Sequence, residues 1–509
     1  MDATTARLLA GTATGYNPIW SPDSRSIAYS ASGKLWRVDV GGGAPIAICA
    51  APQLSGGDWA PDGSIVFGTF SSGLRRVPVS GGTPEPLTTP DAGRGETAHR
   101  GPQLLPGGRI LFLVDGKPEQ AGIYAASLAN VRDAVRLVST DSSGVYAAGH
   151  LLWLRGSTLV AQRFDPQRLK LSGEPRPVAD PVGTDVSGRM VASASSGGLL
   201  VHGRWSEAQL TWLDRAGKAV STLGQPGVYF SFRISPDGRR VVVSRRSGSG
   251  GDLWMVDVER DALSRFTFLP GITLFPVWSP DGRQVIFSAG SPFNLYRKEA
   301  SGAGTEQRVT ESANTQYPTD WSRDGRLVLY YEIATDTQRD LWVLPVTPDG
   351  KPEAGAKARL YLRTRFHEWG GRFSPELRPG LGPRWVVYTS DESGRDEVYV
   401  QGFPEPRGKF QISTGGGQYP EWSPDGRELY YVSTDGKLMA AALKLGADSV
   451  APSTPRELFA LPAGAGNVSP YAVAPDGKRF LVQAPAGGSQ PLEVVVNWPA
   501  LLKKGAAAE

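Results

Sequence analysis

The side chains able to do chemistry are few and scattered. His99, His150, His202 and His367 are the only histidines, and Cys49 is the only cysteine. A single thiol forms neither a disulfide nor a thiolate metal pair within one chain, and Cys49, in Ile46-Ala-Ile-Cys49, reads as a small buried apolar residue. No carboxylate pattern accompanies the histidines, so a histidine-based metal or acid–base site is not expected. His367-Glu368 begins like a zinc-binding helix, but the second histidine is absent and Gly370-Gly371 denies the helix. There is no Gly-x-Ser-x-Gly elbow for a serine nucleophile. The Gly-Lys pairs, such as Gly116-Lys117-Pro118 and Gly477-Lys478-Arg479, lack the Ser or Thr of a phosphate loop. The expectation is a chain with no catalytic residue, no metal and no cofactor.

Asp23, Asp62, Asp237, Asp281, Asp324, Asp425 and Asp476 look at first like cation ligands. Calcium needs six to eight oxygens about one point, whereas each of these stands alone in a Ser-Pro-Asp-Gly-like turn, where a short acidic side chain serves the backbone. What remains for recognition is the approach to each innermost strand. The candidates are Arg94, Glu96, His99 and Arg100; Tyr317 and Asp320; Arg365, His367, Glu368 and Trp369; and Tyr419 and Glu421. These are read as channel-mouth loop residues, since loops on a rigid scaffold carry function disproportionately.

The elements that must position them repeat. Tyr419-Pro-Glu-Trp-Ser-Pro-Asp-Gly426 is a strand closed by Trp422 and a tight turn, and Leu429-Tyr-Tyr-Val432 is the returning strand. The position of Trp422 recurs at Trp20, Trp59, Leu104, Ile234, Trp278, Trp321, Phe373 and Val473, mostly 39 to 52 residues apart. The one gap, of 130 residues between Leu104 and Ile234, holds two degenerate copies near Tyr146 and Ala194. Further strands follow each turn, for example Asp252-Leu-Trp-Met-Val and Asp340-Leu-Trp-Val-Leu. Four short strands in a period of this length are a propeller blade. The expected fold is all-β, with eleven four-stranded antiparallel blades in tandem β-propellers. The expected domains are 1–224, with five blades closed by Ala6–Ala10, and 225–509, with six blades closed by Lys218-Ala-Val-Ser-Thr222. Six plus five, or interlocked rings, are the alternatives. Gly224-Gln-Pro-Gly227 reads as the crossing, and the Trp anchors as packing between blades.

These residues resemble the TolB-type, WD-like propeller repeats, whose signature is Pro-x-Trp-Ser-Pro-Asp-Gly followed by an apolar strand and Leu-Trp/Tyr-Val. The resemblance covers most of the chain and is poorest over 141–225. More narrowly, Arg94-Gly-Glu-Thr-Ala-His-Arg100, Tyr388-Thr-Ser-Asp-Glu-Ser-Gly-Arg395 and Val495-Val-Asn-Trp-Pro499 are similar to the propeller region downstream of bacterial serine/threonine kinase domains. That resemblance implies a sensor or interaction module in signalling. The kinase motifs themselves are absent; His99-Arg100 is followed by Gly101 rather than Asp.

Composition narrows the partners. The 54 basic and 50 acidic residues are interspersed, giving a net charge of +4 with no basic stripe, so nucleic acid is not an expected partner. No apolar run spans a membrane and the opening residues lack a signal peptide's apolar stretch, which reads as soluble and cytoplasmic. As a piece of a membrane-anchored kinase the chain would instead be extracytoplasmic. The first expectation is a monomeric, non-catalytic module that binds a protein or peptide. The alternatives are a propeller hydrolase or lyase on sugars or peptides, and a TolB-like periplasmic scaffold. Two or more carboxylates converging with His or Arg in one channel would favour the enzyme.

Overall fold

A computed structural model describes residues 9, 12, 15–31, 33–51, 54–70, 72–184, 189–203, 207–247, 250–290, 292–334, 338–378, 382–462, 469–487 and 492–504. The chain forms two compact units, residues 1–205 with 490–509, and residues 206–489. Both are built of antiparallel sheets whose strands follow the chain order outward from an innermost strand, except in the sheet that closes the second unit. Each unit is a β-propeller.

The first unit has five sheets among the described residues. Their innermost strands are Tyr16–Trp20, Leu54–Trp59, Glu96–Leu105, Val145–Ala147 and Ala192–Ala194. Apolar clusters fill the space between consecutive sheets. Ile19, Ala28 and Leu35 meet Trp59, Ile65 and Phe67 between the first two, and Leu111 and Ile123 meet Leu151 and Trp153 between the third and fourth. The fifth sheet takes its third strand, Glu493–Val496, from the end of the chain, pairing Leu199 with Val496 and Val201 with Val494. Ala6–Ala10, expected to close this ring, lies outside the described residues except for Leu9, which packs on Tyr29, Ala31 and Val38.

Among the described residues the second unit has six blade sheets, with innermost strands Tyr229–Ile234, Leu274–Trp278, Thr315–Trp321, Glu368–Phe373, Gln418–Trp422 and Tyr471–Val473, and a separate two-stranded ribbon of Leu377–Arg378 and Gly382–Pro383. Its clusters run without a break from each sheet to the next. The last joins Leu210, Trp212 and Leu481 to Phe232, Val241 and Val243, which closes the ring. The closing sheet combines Tyr471–Val473 and Arg479–Pro485 with Ala208–Asp214 and Ala219–Gly227.

This division corrects the expected domains 1–224 and 225–509. Residues 206–224 supply strands to the second unit, and the last strand belongs to the first. Apolar alternation in Ala208-Gln-Leu-Thr-Trp-Leu213 suits a strand between two neighbours, and its partner is Arg479–Pro485. Gly224-Gln-Pro-Gly227 is therefore the end of a fourth strand and not a crossing.

The repeated turn holds as the sequence predicts. Ser423 Oγ donates to Asp425 Oδ1 at 2.7 Å, the Arg427 amide donates to the same oxygen at 3.1 Å, and Gly426 accepts a φ of 73°. Trp59, Trp278, Trp321 and Trp422 are buried between sheets. Trp20 is not: it is 56% exposed.

Candidate functional site

Every innermost strand must let its neighbours converge on an axis, and the backbone shows how. A register shift interrupts the pairing just before the anchor, as between Leu274 and Val277, Trp369 and Arg372, and Gln418 and Glu421. Three residues before the anchor the backbone turns left-handed, at Asn17, Gly56, Gly101, Phe275, Gly370 and Tyr419 (φ 52–85°). Glycine adopts this bulge freely. Phe275 and Tyr419 adopt it at a cost of about 1–3 kcal/mol each. Such strain persists where the surroundings fix it, and it points to the rings these two residues present.

Those rings belong to an arc at one end of the second unit. Phe275 and Phe293 lie 4.7 and 5.6 Å from Tyr317, and Tyr317 lies 5.1 Å from Tyr331. Arg339 sits over both Tyr331 (5.8 Å) and Trp369 (5.4 Å), and Trp369 meets Tyr419 edge-on at 5.1 Å. Gln418 Nε2 donates to Asp396 Oδ2 at 2.6 Å on the flank of this arc. Burial raises the Asp396 carboxyl, against the pull of Arg339. Four sheets contribute, through innermost strands and through residues on or just before second and third strands. Planar faces beside a guanidinium and a carboxylate can stack on, and hydrogen-bond to, a peptide or a sugar.

Beneath the arc, one residue before the anchors, lies a charged layer. Arg233, Asp320, Arg372 and Glu421 occupy this position in four of the six strands. Glu421 Oε1 accepts from Arg372 Nη2 at 2.8 Å and from Arg233 Nη2 at 3.1 Å. Asp320 Oδ2 accepts the Phe373 amide at 2.7 Å, tying one sheet to the next. Burial pushes Asp320 up to about 7, with the Glu421 charge adding to the rise. Burial also raises Glu421, opposed by Arg233. The indoles of Trp278 and Trp422 donate to the carbonyls of Arg233 (3.1 Å) and Arg372 (3.3 Å), which fixes the two arginine backbones.

The first unit uses the same position for backbone ties. Asp58 Oδ2 accepts the Leu104 amide at 2.7 Å, and Gln103 bonds both the N–H and the carbonyl of Tyr146.

The expected site residues divide accordingly. Tyr317, Asp320, Trp369, Tyr419 and Glu421 converge on the second unit's channel, but on its innermost strands rather than on approach loops. Glu368 is also on a strand, buried; its carboxyl is pushed up to about 7 by burial, and Thr364 donates to it. Arg365 is exposed over Phe366, and the buried His367 donates its amide to Asp391 at 2.9 Å. Arg94, Glu96, His99 and Arg100 belong to the first unit. Arg94 caps Gln120 from a short 3-10 turn, while Glu96, His99 and Arg100 lie on a strand. His99 bonds Thr88 (2.7 Å) and Glu96 (3.2 Å), and burial lowers its pKa. Arg100 pairs with Asp115 and covers Phe70. Glu96, His99 and Arg100 read as packing, whereas Arg94 is exposed. Sequence reasoning missed Arg233, Arg372, Phe275, Phe293, Tyr331, Arg339 and Asp396. Aligning the position before each anchor would have found the two channel arginines beside Asp320 and Glu421.

No group of three or more metal-ligating side chains occurs among the described residues. No described helix is long and apolar enough to cross a membrane.

No protein-family profile matches the chain. It is 26% identical over 210 residues to an uncharacterised protein of Agrobacterium fabrum, covering 39% of this chain and 68% of that one. Among solved structures it is similar to a protein described as a TolB of Agrobacterium tumefaciens, with 18% identity, 55% of this chain and 98% of that one covered, and a TM-score of 0.42. It is also similar to TolB of Acinetobacter baumannii, with 12% identity, 67% and 79% covered, and a TM-score of 0.38. A third is an oligogalacturonate lyase in complex with manganese, with 13% identity, 57% and 96% covered, and a TM-score of 0.39.

Proposed function

We propose that the chain is a binding module that recognises a protein or peptide segment at the channel mouth of its second unit, without catalysing a reaction. The observation that carries this is the pair Phe275 and Tyr419. Both hold a strained left-handed backbone that glycine takes without strain at the equivalent Gly370, and both direct rings into one arc with Tyr317, Trp369 and Arg339. Panning a random peptide display library on the full chain tests it. Recovered peptides should lose binding to Tyr419→Gly and Trp369→Ala but keep it with Arg94→Ala, in the first unit. Peptides bound equally by all three variants would refute the reading.

The resemblance to kinase-associated propellers supports placing this module in bacterial signalling, as an extracytoplasmic sensor. A kinase and a membrane helix encoded immediately upstream would support that; unrelated neighbours would count against it.

A second reading has one observation in its favour. Glu421 meets two guanidiniums in the layer that Asp320 shares, and Asp320, pushed up by burial to about 7, is in the range of a neutral-pH acid or base. Hydrolysis or elimination on a sugar or peptide substrate, abolished by Asp320→Asn, would establish the enzyme instead.

A further inference from the structure

Arg372 carries more donors than the protein satisfies. Its side chain is only 10% exposed, and its one bonded nitrogen is Nη2, on Glu421 Oε1. Nε and Nη1 are buried and bond no atom of the described residues. A guanidinium holds one N–H on Nε and two on each Nη, and leaving them buried without an acceptor is unfavourable, more so because the group is charged. Glu421 meets Arg372 only at Nη2, through the Oε1 that it shares with Arg233. Asp320 is held by a backbone amide of the next sheet. The layer carries two fixed positive charges against two carboxylates. Solvent reaches its rim, where 24% of the Arg233 side chain and 19% of Glu421 are exposed, while Nε and Nη1 of Arg372 are covered.

We infer that the second unit's channel holds a carboxylate site, in which a ligand's anionic oxygens bond the remaining edge of Arg372, with Arg233 beside it. A flat carboxylate fits a guanidinium edge with two parallel charge-assisted bonds. The site lies directly below the aromatic arc. The ligand it takes has a carboxylate head and a planar or apolar body: either a free organic acid or the C-terminal end of a peptide. This rests in part on the mouth reading, since the arc supplies the body's contacts, but the head group is tested separately.

Thermal unfolding of the full chain with acetate, benzoate and N-acetyl-glycyl-phenylalanine, each against its amide, decides it. The acids should raise Tm saturably and the amides should not. The shift should vanish in Arg372→Gln and fall at least tenfold in apparent affinity in Arg372→Lys, which keeps the charge but loses the planar fork. Both variants should fold, because Arg233 still pairs Glu421. A benzoate shift without a peptide shift identifies a free acid; a peptide shift at lower concentration identifies a chain end. Acids indistinguishable from their amides, or a shift unchanged in both variants, would overturn the site. If the acid shift persists in Trp369→Ala and Tyr419→Gly while peptide panning fails, the carboxylate site stands and the mouth reading falls.

Discussion

Arg372 Nη2 and Glu421 Oε1 lie 2.8 Å apart on adjacent innermost strands, each one residue before its anchor. Around this bond the second unit arranges its ties between sheets, its charged channel layer and, above that, its aromatic mouth. The anchors Phe373 and Trp422 are what hold the two side chains at that height.

Trp422 is buried and bonds the Arg372 carbonyl, so Trp422→Ala should cost about 3–5 kcal/mol, the range for a large buried aromatic. Trp20 holds the same sequence position yet is exposed, and Trp20→Ala should cost under about 1 kcal/mol. Urea denaturation of the two variants, each followed in its own unit, measures the contrast. Equal losses would contradict the burial assigned to each.

Gly56 sits at the bulge with φ 85°, and a Cβ there would meet the Gly101 backbone at 3.2 Å. Gly56→Ala combines left-handed strain with a backbone contact that cannot swing away, so a loss of about 1–3 kcal/mol is expected. Gly156→Ala, also left-handed but facing open space, should lose less. Denaturation midpoints of the two variants rank them.

Asp320 titrates near 7 when folded and near 3.8 otherwise, because burial disfavours its charge. Between these values the folded state binds the extra proton, so this group's contribution falls as pH rises from about 4 to 7. Glu368, also near 7, adds to the same slope. Asp320→Asn with Glu368→Gln should flatten the dependence of unfolding free energy on pH in that window. An unchanged slope would show that neither carboxyl is raised.

The ring closures make a sharper prediction. Residues 206–489 should fold cooperatively alone, since they contain all four strands of the closing sheet. Residues 218–509 should not, because they lack Ala208–Asp214, the third strand between Arg479–Pro485 and Ala219–Gly227. Heat-capacity traces of the two fragments check this.

The repeat was legible because Ser-Pro-Asp-Gly turns and Trp anchors are local devices: each acts within a few residues, so its residue types are fixed by its own geometry. Trp422 and Asp425 could be read correctly without neighbours. The ring closures could not. Leu492-Glu-Val-Val-Val-Asn-Trp498 looks like a third strand, and it is one, but nothing in its alternation tells which second strand it will pair with; Leu199–His202 and Arg479–Pro485 are both suitable edges. The site was half legible for a similar reason. Tyr317, Trp369, Tyr419, Asp320 and Glu421 stand out as large or charged residues where a repeat varies. Arg339 does not, because it lies near the start of a third strand, and only the fold sets it over Trp369 of the next sheet. Glu96, His99 and Arg100 stand out equally, yet His99 bonds Thr88 at the end of the preceding sheet and Arg100 pairs with Asp115 on the next strand of its own sheet, so they are tied into the scaffold.

The central claim is that the second unit's mouth is where this chain binds. Hydrogen exchange of the full chain, with and without a peptide selected by panning, tests it most directly. The account predicts added protection in Thr315–Trp321, Glu368–Phe373 and Gln418–Trp422, with the first unit unchanged. Protection confined to residues 1–205, or absent from these three strands, would contradict it.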